Sequence, residues 1–77
     1  VVSKQAGSAE GKRLRHLRSK AELTQEDLAG RVGVARHTIW RLEKGPAFNP
    51  RLRTIQAIAK ALGVDVGYLL SAHPPKS

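Results

Sequence analysis

Arg36, His37, Trp40 and Arg41 are spaced so that one side of an α-helix carries all four. Each brings a group suited to a polar, planar target. An arginine guanidinium is a rigid fork of N–H donors that fits the paired O6 and N7 acceptors of guanine in a duplex major groove. An imidazole N–H can donate to the same acceptors. Trp40 either touches DNA or another protein, or lies across its own helix with its ring on apolar stems. Taken alone, Arg36 and Arg41 could be ordinary solvated helix residues, so their meaning depends on what holds them.

What holds them is a set of short helices. The pattern predicts an all-α, compact five-helix domain over residues 9–71, between a flexible arm at 1–8 and a disordered tail at 72–77 whose Pro74 and Pro75 cannot continue a helix. The first helix spans Ala9 to Lys20, with Leu14, Leu17 and Ala21 on its inner side. Thr24 caps the second, with Asp27 in the place of a capping-box partner, and Gly33 ends it. The third runs from about Ala35 to Lys44 and stops at Gly45-Pro46. Asn49 is expected to cap the fourth, with Pro50 in its first turn and Leu52, Ile55, Ile58, Ala59 and Leu62 as its apolar stripe. Asp65 opens a last turn, Val66 to Leu70, in which Leu69 and Leu70 close the core.

The second and third helices are too short to persist alone in water, so they must pack against each other. Ala29 is small enough for a close crossing, and Gly33 permits the sharp turn between them. Leu28, Val32, Val34, Ile39 and Leu42 then face inward. Two short helices crossing over a glycine-containing turn make a helix-turn-helix, and its second helix turns Arg36, His37, Trp40 and Arg41 outward.

Charge narrows the choice of partner. The 77 residues carry a formal +8, concentrated in residues 1–20, where six basic residues oppose Glu10 alone. A domain this basic attracts polyanions, either nucleic acid or an anionic membrane surface. The membrane is the weaker reading, because the helix bearing Lys12, Arg13, Arg15 and Arg18 is weakly amphipathic and lacks aromatic anchors. Lys12 and Arg15 are expected to attract phosphates from a distance. No apolar stretch is long enough to span a bilayer and the start lacks the middle region of a signal peptide, so a cytoplasmic, nucleoid-associated protein is expected.

Catalysis finds little support. His16, His37 and His73 are scattered, cysteine is absent, and neither a nucleophile elbow nor a glycine-rich phosphate loop occurs. No enzyme activity, metal or cofactor is therefore expected.

The run Thr24-Gln25-Glu26-Asp27-Leu28-Ala29, then Val32-Gly33-Val34, Ile39 and Leu42-Glu43-Lys44-Gly45, resembles the Cro and phage-repressor type of helix-turn-helix domain, the lambda repressor-like fold. The likeness extends from Gly11 to Leu70 and includes Asn49-Pro50 and Ala61-Leu62-Gly63-Val64. It implies base-edge contacts for Arg36, His37 and Arg41 and a phosphate bond for Gln25. It implies a partly buried ion pair between Arg18 and Glu43, and phosphate contacts from Lys44 and the loop Pro46-Ala47-Phe48-Asn49. It also implies a dimer surface near Val64, Val66, Tyr68 and Leu70.

Two positions depart from the family pattern. Ala35 replaces the usual capping Ser or Thr, and Pro46 and Phe48 replace more polar loop residues. Phe48 is either a lid over the core or a partner contact.

The resemblance implies a transcriptional regulator, in the first instance a repressor, binding double-stranded DNA as a homodimer at a near-palindromic operator. The alternative is an antitoxin-like interaction module that holds a protein partner, a toxin or co-regulator, and binds DNA secondarily. No ligand-sensing domain is expected, so switching would come from protein concentration, degradation or a partner.

Overall fold

Ser8 starts the first helix. Its hydroxyl accepts a hydrogen bond from the Gly11 amide at 2.9 Å, satisfying an N–H that the first turn would otherwise leave without a partner. The computed structural model describes residues 8–71, with α1 at Ala9–Lys20, α2 at Gln25–Val32, α3 at Arg36–Lys44, α4 at Leu52–Leu62 and α5 at Val66–Leu70. Ser8 is thus a helix cap, not part of an arm. The arm over 1–7 and the tail over 72–77 lie outside the described residues. No strand occurs among the described residues.

Leu14, Leu28, Ala29, Ile39, Leu42, Ile55, Ile58 and Leu69 form one core to which all five helices contribute. α3 lies between α1 and α2, α2 also packs on α4, and α5 rests on α1 and α4. α1 and α3 approach closely at Gly11. A Cβ added to Gly11 would sit 2.5 Å from the Leu42 carbonyl oxygen and 2.9 Å from that of Glu43. Glycine at position 11 lets α1 lie on the backbone of α3 and fixes how far α3 stands out from the core. Phe48 is half-buried against the core, as a lid.

Several sequence expectations shift at helix ends. α4 begins at Leu52 with Arg51 in the capping position, so Asn49 and Pro50 belong to the connection before it and Asn49 is not its cap. Leu52 is 68% exposed although it continues the apolar stripe, because in the first turn it extends beyond the surface that α4 packs on. Leu70 is also exposed, leaving Leu69 as the fully buried residue of α5, with Val66 half-buried beside the core. Ala21 is exposed, since α1 has already ended and Ala21 is its C-cap. Periodicity assigns a residue to a side of a helix; it does not say where the partner surface stops.

Candidate nucleic-acid interface

α2 fixes the frame for α3. Thr24 caps α2 reciprocally with Asp27: the Asp27 amide donates to Thr24 Oγ1 at 2.9 Å, and the Thr24 amide donates to Asp27 Oδ2 at 2.9 Å. The bond from the Thr24 amide, and next the Thr24 hydroxyl, hold the Asp27 carboxyl below its ordinary value of 3.8. Gly33 leaves α2 with φ at +86°, a conformation that needs no strain only in glycine. Its amide and that of Val34 both bond back to the Ala29 carbonyl, turning the chain directly into α3.

Ile39, Leu42 and Glu43 are the buried residues of α3. Glu43 is the only acidic residue of that helix and is neutralised from α1. Arg18 donates through Nε to Glu43 Oε2 at 2.6 Å and through Nη2 to Oε1 at 3.1 Å, while its Nη1 donates to the Leu23 carbonyl at 2.7 Å. The ion pair implied by the resemblance is present, with the Glu43 side chain fully buried and that of Arg18 nearly so. Gln25 extends the network. Its Nε2 donates to Glu43 Oε1 at 3.1 Å, and its Oε1 accepts from Arg36 Nη1 at 3.2 Å. A chain of polar contacts therefore runs from buried Arg18 to the first residue of α3.

On the opposite side of α3, Arg36, His37, Trp40, Arg41 and Lys44 are exposed. With Glu43 turned inward and paired, the outer face carries no negative charge of its own. The positive end of α3 adds to it, because Ala35 makes no side-chain cap and the first turn holds no acidic residue. His37 and Trp40 stack, with ring centroids 5.6 Å apart and planes 15° from parallel. Beside them runs an open groove of about 940 Å³, lined in part by Trp40, Arg41, Lys44, Asn49 and Arg51. The fold thus gathers α3 and the connection to α4 around one basic surface. Arg51 was not singled out in the sequence; its place in that connection, after Asn49-Pro50, is the signal that could have found it.

The remaining expected residues lie elsewhere. Lys12 and Arg15 are exposed on α1 and do not line the groove. Val64 and Val66 pack against the core, whereas Tyr68 and Leu70 are exposed. The Arg13 guanidinium lies over the Tyr68 ring at 4.5 Å from its centroid, tying α1 to α5. Among the described residues, no group of three or more His, Cys, Asp or Glu could hold a metal ion, and no helix is long and apolar enough to cross a membrane.

A family model described as a helix-turn-helix domain matches residues 11–69, from the glycine under α3 to the leucine that closes the core. This chain belongs to the helix-turn-helix family, of the Cro and phage-repressor type. It is similar to an uncharacterized HTH-type transcriptional regulator of Archaeoglobus fulgidus, 46% identical over 54 residues that cover 70% of this chain and 76% of the relative. It is also similar to the cryptic phage CTXphi transcriptional repressor RstR of Vibrio cholerae, 37% identical over 77% of this chain and 52% of that protein. Among solved structures, the P22 c2 repressor in complex with synthetic operator 9T superposes with a TM-score of 0.76 and 31% identity, covering 83% of this chain and 96% of that one. Membership of the helix-turn-helix family makes this chain a DNA-binding transcriptional regulator and not an enzyme.

Proposed function

We propose that this helix-turn-helix protein is a repressor that binds a near-palindromic operator as a homodimer, with α3 in the major groove. The observation that carries the reading is the two-sidedness of α3. Its only carboxylate is buried and paired with Arg18, while Arg36, His37 and Arg41 stand exposed on a face free of negative charge. Arg36 and Arg41 supply the forked donors for guanine edges and His37 a single donor. Lys44, Asn49 and Arg51, which share the groove beside α3, hold backbone phosphates. Gln25 has its Oε1 on Arg36 and its Nε2 on Glu43, so a phosphate bond from it uses the second N–H of the same amide. Lys12 and Arg15 add longer-range attraction from α1. Exposed Tyr68 and Leu70, with Val64 and Val66 behind them, supply the contact between protomers. A dimer of this kind sets its reading helices about 34–36 Å apart, one turn of duplex.

Selection of bound duplexes from a random library at physiological salt tests the reading, since that ionic strength suppresses binding driven by charge alone. The expected result is a near-palindrome with half-sites centred about 10 base pairs apart. Arg36→Ala and Arg41→Ala should each weaken binding to that sequence by about 1–3 kcal/mol while leaving non-specific binding nearly intact. Full retention of site preference by both variants would remove α3 from the role of reading helix.

A further inference from the structure

The stack of His37 on Trp40 has no part in holding the core, and Trp40 is 43% exposed on a surface that is otherwise cationic. An indole in that setting needs a reason. One turn apart on α3, the two rings lie at 5.6 Å and 15°, within the range of an offset stack. An exposed imidazole without a neighbour rotates broadly about χ2, because that torsion is sp³–sp² and has no sharp wells. The face of an indole laid against it removes that rotation. The plane containing Nδ1 and Nε2 is then set before any ligand arrives. Trp40 in turn lines the groove together with Pro46 and Ala47.

Reading a base edge with an imidazole is a planar problem, since the N–H must point along the acceptor's lone pair. A donor held in the required plane discriminates better than one that must be ordered on binding. We propose that Trp40 is a positioning residue for His37: the indole fixes the imidazole plane so that His37 recognises the acceptor edge of one purine, guanine by its O6 and N7. Trp40 itself makes no base contact. The inference rests on α3 being the reading helix proposed above, and it replaces direct base contact as the role of Trp40.

The test compares selected sequences for the wild type, His37→Ala, Trp40→Leu, Trp40→Phe and the double variant His37→Ala/Trp40→Leu. His37→Ala should relax preference at a single base pair in each half-site by about 2- to 10-fold, the loss of one hydrogen bond. Trp40→Leu should relax preference at that same base pair and no other, and the double variant should be no worse than His37→Ala. Trp40→Phe, which keeps a ring in place, should restore most of the preference. These are ratios between sequences, so a change in the folded fraction does not move them.

A second readout needs no DNA. Trp40 is the sole tryptophan, and acrylamide should quench its fluorescence more readily in His37→Ala, where one ring face is uncovered. Unchanged quenching overturns the stack. Loss at a different base pair, or equal weakening on all sequences, overturns the positioning role. A wild-type motif that survives intact in Trp40→Leu sinks this inference alone, whereas no wild-type motif sinks the base-reading proposal and this inference together.

Discussion

α2 and α3 are neighbours of nearly equal length, 8 and 9 residues, yet they are specified in opposite ways. α2 has a reciprocal cap at its start, Glu26 and Asp27 at its positive end, Arg31 in its last turn and a left-handed glycine at its exit. Each feature is local and agrees with what a helix prefers at that position. α3 has none of the equivalent features at its start. Ala35 offers no side-chain cap, no acid occupies the first turn, and Arg36 and His37 sit where positive charge is disfavoured. Both helices need packing, but the ends of α2 are fixed by its own residues, whereas α3 is held through Ile39, Leu42 and the Arg18–Glu43 pair. A segment that breaks local rules and is held by its surroundings is what a recognition surface requires, because its exposed side chains are then chosen for the ligand.

The comparison is broken most severely by removing the support of α3. Arg18→Ala leaves Glu43 buried with Gln25 as its remaining side-chain donor, and should cost about 3–5 kcal/mol, read as a large fall in Tm or in the denaturant midpoint. An unchanged midpoint would mean that α3 does not depend on the ion pair. Next in size is the local support of α2. Thr24→Ala removes the hydroxyl that receives the Asp27 amide and should cost about 0.5–2 kcal/mol in denaturant unfolding.

Ala35→Ser sharpens the contrast from the other side. It supplies the cap that α3 lacks and should raise stability by no more than about 0.5–2 kcal/mol. If α3 is held mainly by its packing, the gain lies at the low end, smaller than the loss in Thr24→Ala. A gain larger than that loss would show that α3 is limited by its own first turn after all.

The same contrast explains what could be read from the sequence. α2 was legible to the residue, including Thr24, Asp27 and Gly33, because its determinants lie within a few positions of one another. The inner face of α3 was legible as periodicity in Ile39 and Leu42. The polar network was only partly so: Arg18 with Glu43 came from a family resemblance, and the links from Gln25 to Glu43 and Arg36 were not anticipated. Polar contacts across 11 and 18 residues leave no periodic trace. The end of α1 at Lys20 was legible, but the turn after it was not. Glu22 takes a left-handed φ of 60°, where a glycine would have signalled the turn. Asn49-Pro50 is a cap-like pair two residues too early, since α4 starts at Leu52 with Arg51 in the capping position. The outer face of α3 was legible as a set of candidate residues, while the stacking of His37 on Trp40 depends on rotamers that no spacing fixes.

The smallest expected effect is a pH dependence confined to the local support of α2. Asp27 is held below its ordinary value of 3.8, first by the bond from the Thr24 backbone and then by its hydroxyl. A carboxyl whose value is lowered by folding binds its proton less readily in the folded state. Its contribution is therefore fully present above the unfolded value and is lost as pH falls through the lower, folded one. Asp27 is fully exposed, so solvent keeps this contribution small. Asp27→Asn should be slightly less stable than the wild type near neutrality, and the gap should narrow as pH is lowered through the aspartate range. The check is the difference in denaturant midpoint between the two proteins across that range. A gap that stays constant to low pH would show that the carboxylate charge contributes nothing to α2, leaving Thr24 as a neutral cap and bringing the local support of α2 closer to that of α3.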